Sequence, residues 1–175
     1  MFTRRSLVLA ATVVALAGCG ATTTAAAPAT SSPSSPPSSS AAAAAGLTIT
    51  DPWVKTTKEG MTAAFGTLVN NGDAPITIVS GTSTLSPTIE LHEVVESDGK
   101  MVMRPKKGGF VVPARGTHQL QPGGDHIMLM SVTKEVLPGA RIPFTLQVEG
   151  GKPLEFTAVG KDFAGGEEDY QPGHK

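Results

Sequence analysis

Two imidazoles and two thioethers, those of His92, Met103, His126 and Met128, are the side chains of this 175-residue chain best suited to hold an ion. Thioether sulfur is a soft donor, poor for Zn, Mg or Ca and good for Cu(I). A set of two histidines and two methionines is therefore first of all a copper hypothesis. In His126-Ile127-Met128-Leu129-Met130, strand alternation puts His126, Met128 and Met130 on one face and Ile127 and Leu129 on the other. Met101 and Met103 likewise share a face, with Val102 turned away. Met101 and Met130 are thus auxiliary soft donors. A methionine on a strand is ordinarily a core filler, because its flexible thioether fits irregular gaps. The competing reading is accordingly a structural or interaction domain whose Met-rich face is simply core. What favours the site is the company: a strand face of His, Met and Met is odd for a solvated or a second buried surface.

The elements that must position these residues read as β-strands. From Leu47 onward no apolar period near 3.6 is sustained, whereas period-2 runs recur. The expected strands are Leu47–Lys55, Ala63–Asn70, Ile76–Gly81, Thr88–Glu96, Lys100–Arg104, Gly109–Pro113, Thr117–Gln121, His126–Val132, Arg141–Glu149 and Leu154–Gly160. Turn chemistry separates them at Asn71-Gly72, Asp98-Gly99, Arg115-Gly116, Pro122-Gly123, Pro138-Gly139 and Gly150-Gly151. Many short strands at this spacing make an all-β domain, a sandwich or barrel with Greek-key connections. Thr133–Leu137 is expected to hold one helical turn. The domain is bounded as 47–160, and a polar tail, 161–175, is expected to fray over Gly165–Lys175.

Upstream, the chain reads as an export signal and a tether. Arg4-Arg5 precedes an apolar stretch, Leu7–Ala17, too short to span a bilayer. Leu16-Ala17-Gly18-Cys19 matches the bacterial lipobox, so residues 1–18 are a lipoprotein signal peptide and Cys19 carries the lipid. Thr3-Arg4-Arg5-Ser6-Leu7 leaves both Sec and twin-arginine export open. Residues 19–46 are the lipidated cysteine and a linker of Ala, Ser, Thr and Pro that buries too little apolar surface to fold. Such a linker has a mean span of roughly 30 Å. Cys19 is the chain's one cysteine. Once lipidated, it leaves no thiolate for a nucleophile, a Cys-type zinc site or blue-copper ligation.

The residues also carry a family resemblance. Glu90-Leu91-His92-Glu93, Met101-Val102-Met103-Arg104-Pro105 and the run from Leu120 to Met130 resemble the PCuAC family of periplasmic copper chaperones. The family's pattern is a His, ten residues, a Met, twenty-one residues, then His-x-Met. Here ten residues separate His92 from Met103, and twenty-two separate Met103 from His126. The extra residue is placed in Lys106-Lys107-Gly108-Gly109, and either Met101 or Met103 can fill the first Met position. The resemblance runs from Ile49 to Val159, including Asp51-Pro52-Trp53 and Arg141-Ile142-Pro143-Phe144. It implies a cupredoxin-like Greek-key β-sandwich that binds one Cu(I) through His92, Met103, His126 and Met128. It also implies delivery to the copper centre of cytochrome c oxidase or to Sco-type proteins.

The remaining features are read more plainly. Net charge is −1, which argues against nucleic acid as a partner. A monomer on the outer face of the cytoplasmic membrane is expected, as is a protein that binds rather than catalyses, since no nucleophile–base or paired-carboxylate arrangement stands out. Trp53 is expected in the core near the first strand. His118 is expected at the surface. Glu93 after His92 lacks the second helical His of a zinc motif. Glu167-Glu168-Asp169 with His174 is read as solvated tail.

Overall fold

The computed structural model describes residues 46–165 and 169–172. The leader, Cys19, the linker as far as Ala45, and Glu167, Glu168 and His174 lie outside the described residues. The described chain is all strand: β1 (Leu47–Lys55), β2 (Gly60–Asn70), β3 (Ile76–Ser83), β4 (Thr88–Ser97), β5 (Lys100–Pro105), β6 (Phe110–Val112), β7 (Gly116–Leu120), β8 (His126–Val132), β9 (Arg141–Val148), β10 (Leu154–Lys161) and β11 (Asp169–Tyr170). The ten strands expected from periodicity are all present, with ends shifted by a few residues at most. The helical turn at Thr133–Leu137 is not. Val136 instead bridges to Thr57 as an isolated β pair, and its side chain is buried in the core. Burial of one valine outweighs the weak local preference for a helical turn.

Hydrogen bonding runs in the order β11-β5-β4-β8-β2-β1-β10-β9-β3-β6, with β7 also on β2. The path closes into a cupredoxin-like Greek-key β-sandwich because the edge of β2 away from β1 serves two strands. Its first half pairs with β8 and its second half, Gly66–Asn70, with β7. β1 is able to follow this bend because its register breaks between Thr50 and Trp53, where Asp51 adopts φ 49°. The core lies between the layers. Leu91 of β4, Ile127 and Leu129 of β8 and Ala64 of β2 share one cluster with Ile78, Phe144, Leu146 and Phe156. Each of the larger side chains among these contributes about 1.5–3 kcal/mol when fully buried.

The other face of β5, β4, β8 and β2 would ordinarily be wet. Here two described pieces of the chain after β10 lie near it. Thr56 Oγ1 donates to Asp162 Oδ1 at 2.7 Å, Phe163 meets Trp53 edge-on with ring centres 5.6 Å apart, and Lys55 Nζ donates to the Gly165 carbonyl. Further on, β11 pairs in parallel with β5, setting Tyr170 beside Met103, and the Gln171 amide donates to the Met103 carbonyl at 2.9 Å. The tail is therefore a strap, and the expectation of fraying fails for Tyr170 and Gln171. The polarity that suggested fraying masks three anchors: one phenyl ring, one phenol ring and a short backbone ladder. Trp53 also departs from expectation. It stands half-buried on this outer face, between Phe65 and Phe163, and is not part of the core cluster.

Candidate metal centre

β-pairing alone brings the histidines together. His92 of β4 and His126 of β8 are direct antiparallel partners, so their side chains leave the sheet on the same face, with ring centres 5.5 Å apart. One pleat to one side, Met128 pairs with Glu90. One pleat to the other, Met103 of β5 pairs with Val94. The two thioethers thus flank the histidine pair on one face, each within roughly 7 Å of it along the strand. The Asp98-Gly99 turn sets this register. Both residues take positive φ, 51° and 75°, as a tight two-residue hairpin requires.

All four side chains are buried: His92 completely, His126 and Met128 to 4% exposure and Met103 to 9%. Residues on both faces of β8 are therefore buried. Met101, opposite Glu96, stays on the same face but is half exposed and lies two residues further out. Met130, opposite Thr88, is half-buried beyond Met128. Neither lines the cleft described below. Between the two candidates for the first Met position, Met103 is thus the one beside the histidines.

The protonation of each ring follows from its neighbours. His92 Nε2 lies 2.7 Å from Glu90 Oε2, and the carboxylate can only accept, so Nε2 carries the proton. Burial pushes the His92 pKa below 6.5, although the hydrogen bond and charge of Glu90 act the other way. The ring is then neutral, and its lone pair sits on Nδ1. Among the described residues, that buried nitrogen finds no hydrogen-bond partner. A buried, unsatisfied lone pair is costly unless something else comes to fill it. On His126, Nδ1 lies 2.9 Å from the Gly124 carbonyl, which fixes a proton there and makes Nε2 the nitrogen that would serve as a donor. A carboxylate behind one imidazole and a backbone carbonyl behind the other is how metal-binding histidines are usually oriented.

Tyr170 was not legible as part of this site. Its ring stacks on His92 with centres 5.5 Å apart and planes 5° from parallel. Its hydroxyl points to the same Glu90 oxygen, at 3.5 Å, and burial together with the Glu90 charge raises its pKa. Phe65 backs His126 from β2, ring centres 6.1 Å apart. A cleft of about 360 Å³ opens on the other side of the pair, lined by Met61, Phe65, Met103, Gly123, His126 and Met128 among others. Met61 is a further thioether that the strand pattern gave no reason to single out.

Beside the site lies an ion-pair network. Lys106 Nζ bridges Glu93 at 3.1 Å and Asp125 at 3.2 Å, and Arg104 Nε reaches Glu93 at 3.0 Å. Burial alone would raise the Glu93 pKa, but the hydrogen bonds from Lys106 and Arg104 outweigh it and lower it. Glu93 is thus a partner of cations. His118, expected at the surface, is only about one-fifth exposed. It pairs with Asp125 at 2.8 Å and stacks on Phe110. Among the described residues no three His, Cys, Asp or Glu side chains converge as a hard-ion site would need. What the geometry offers is two imidazoles and two thioethers, a donor set for a soft ion.

Known proteins share this architecture. The fold resembles the copper-bound PCuAC domain from PmoF2, with a TM-score of 0.58 at 18% identity over 70% of this chain and 98% of that one. It also resembles apo-DR1885 from Deinococcus radiodurans, with a TM-score of 0.54 at 29% identity over 83% of this chain and 97% of that one. In sequence, it is 38% identical to "Putative lipoprotein Lxx21020" of Leifsonia xyli subsp. xyli (strain CTCB07), over 72% of this chain and 76% of the relative. Residues 47–159, nearly the whole described domain, match the model of the family described as "Putative lipoprotein LpqE-like". The chain belongs to the LpqE-like family, on a PCuAC-type β-sandwich.

Proposed function

We propose that this protein is an extracytoplasmic Cu(I) metallochaperone, held by lipid on Cys19 to the outer face of the cytoplasmic membrane. It passes copper to the copper centre of cytochrome c oxidase or to a Sco-type protein, by binding and transfer without catalytic turnover. One observation carries the reading: the buried His92 Nδ1 lone pair, set beside His126 and flanked by Met103 and Met128. A merely structural Met-rich face would have no use for a completely buried imidazole with an unsatisfied nitrogen. The likeness to a copper-bound PCuAC domain supports the same reading.

The donor set suits transfer. Neutral imidazoles and thioethers leave Cu(I) with its own single positive charge, which Glu90 partly balances through the His92 hydrogen bond. Thiolates would hold the ion harder and would oxidise outside the cell. Thioethers also select the oxidation state, because imidazoles alone accept Cu(II), Ni or Zn nearly as well. A Met103→Leu, Met128→Leu double variant, close in volume to the native pair, is expected to lose most Cu(I) affinity and keep Cu(II) binding through His92 and His126. Competition against a Cu(I) chelator under reducing conditions, paired with a Cu(II) titration, measures both. Unchanged Cu(I) affinity, or equal loss for both states, would reduce the methionines to core residues.

A further inference from the structure

The site has one sealed side and one open side, and the open side ends in a methionine outside the four-residue set. On the sealed side, Tyr170 stacks on His92 and β11 is laddered to β5. His92 is completely buried there and does not line the cleft. On the open side, Met61 lines the cleft together with Met103, His126 and Met128. It stands at 48% exposure against 9% and 4% for the two deeper methionines. Its placement has a local cause. Ala63, two residues on, pairs directly with Met128, and the register of β2 against β8 breaks between Gly60 and Thr62. This bulge interrupts the pairing at Met61, which resumes at Gly60 with Val132, and Met61 is left lining the cleft.

Resting on the copper reading above, we propose that Met61 is the entry and exit ligand for Cu(I). The ion is taken first by the exposed Met61 thioether, moves inward to Met103, Met128 and His126 as each replaces a donor of the delivering complex, and finishes on His92 Nδ1. Release retraces the route, so Met61 is the ligand an acceptor protein meets first. Ligand exchange of this kind forms and breaks dative bonds only, with no change in oxidation state. Graded exposure is the physical basis. A half-exposed thioether meets an incoming complex first, whereas donors at 9% exposure or less follow once the ion is at the mouth of the cleft.

The test is stopped-flow transfer of Cu(I) from a coloured chelate to wild type, to Met61→Leu and to Met101→Leu. Leucine keeps the volume and removes the sulfur. Met101 is the control, because it is a 50% exposed thioether on the same sheet face that does not line the cleft. Met61→Leu should slow uptake and release alike, by at least the roughly tenfold typical of changes next to a metal site. Its equilibrium affinity should stay within about twofold of wild type, and Met101→Leu should match wild type throughout. An unchanged rate in Met61→Leu overturns the proposal. So does lost affinity at an unchanged uptake rate, which would make Met61 a permanent ligand, and so does equal slowing in Met101→Leu, which would show only a surface effect. A wild type that takes no Cu(I) at all would instead overturn the copper function itself.

Discussion

Glu90 offers the sharpest perturbation, because it is no donor to the ion and reaches the site through His92, with Tyr170 on the same oxygen. Its carboxylate accepts the His92 Nε2 proton at 2.7 Å, with His92 fully buried and Glu90 about one-third exposed. Removing the acceptor in Glu90→Ala has two consequences. The Nε2–H loses its partner in a buried position, which costs about 1–3 kcal/mol of stability. In addition, the proton is no longer confined to Nε2, so the tautomer with its lone pair on Nδ1 is no longer imposed. Changes of this kind behind a metal-binding histidine typically cost 10–100-fold in affinity, or about 1.4–2.7 kcal/mol. The partial exposure of Glu90 places the expectation nearer tenfold. Glu90→Gln keeps a carbonyl that can accept the same proton but removes the charge, so it should retain most of the affinity. The assay is competition against a Cu(I) chelator, with urea unfolding alongside to separate stability from binding. Wild-type affinity in Glu90→Ala, or Glu90→Gln as damaged as Glu90→Ala, would refute the assignment of Nδ1 as the donor.

Other outcomes follow from the same geometry. Tyr170→Ala should leave the core intact but uncover His92, speeding copper release in chelator challenge; an unaltered release rate would mean the strap does not seal that side. Ile127→Ala, in the core face of β8, should cost about 2–5 kcal/mol in urea unfolding and lower the midpoint without changing which ion binds. The lowered His92 pKa has a definite sign: below the unfolded-state value of 6.5 the unfolded chain takes a proton that the folded one refuses. Apo stability should therefore fall as pH drops from 6.5 toward the folded value, and His92→Gln should flatten that dependence; parallel pH–stability curves would contradict it. Cys19→Ala should move the protein from the membrane fraction to the soluble one, and retention at the membrane would remove the anchor.

The extent to which the sequence disclosed this molecule can be argued residue by residue. Strand periodicity located β1 and β8 to the residue, since a period of two with Gly- and Pro-rich turns leaves little freedom. The alternation of β8 also revealed the peculiarity of its His126–Met128 face. It could not reveal that His92 lies directly opposite His126, because register across strands far apart in sequence is a tertiary property. Trp53, Glu90 and Tyr170 were misjudged or missed for a related reason. Trp53 and Tyr170 depend on the strap, and a strap of two paired residues has no period to detect, while Glu90 depends on the side-chain placement of His92. Tyr170 did leave one mark, as the chain's single tyrosine set in an otherwise polar tail. Met61 left none beyond its element, since its role depends on a bulge that only the paired strands create.

The central claim, that His92, Met103, His126 and Met128 hold one Cu(I), is tested most directly by copper K-edge X-ray absorption on the protein loaded with one equivalent of Cu(I). Two nitrogen and two sulfur scatterers are expected in the wild type. The Met103→Leu, Met128→Leu variant should lose both sulfurs, and His92→Gln should lose one nitrogen. A nitrogen-only or oxygen-rich first shell in the wild type, or sulfur scattering that survives the double substitution, would contradict the account.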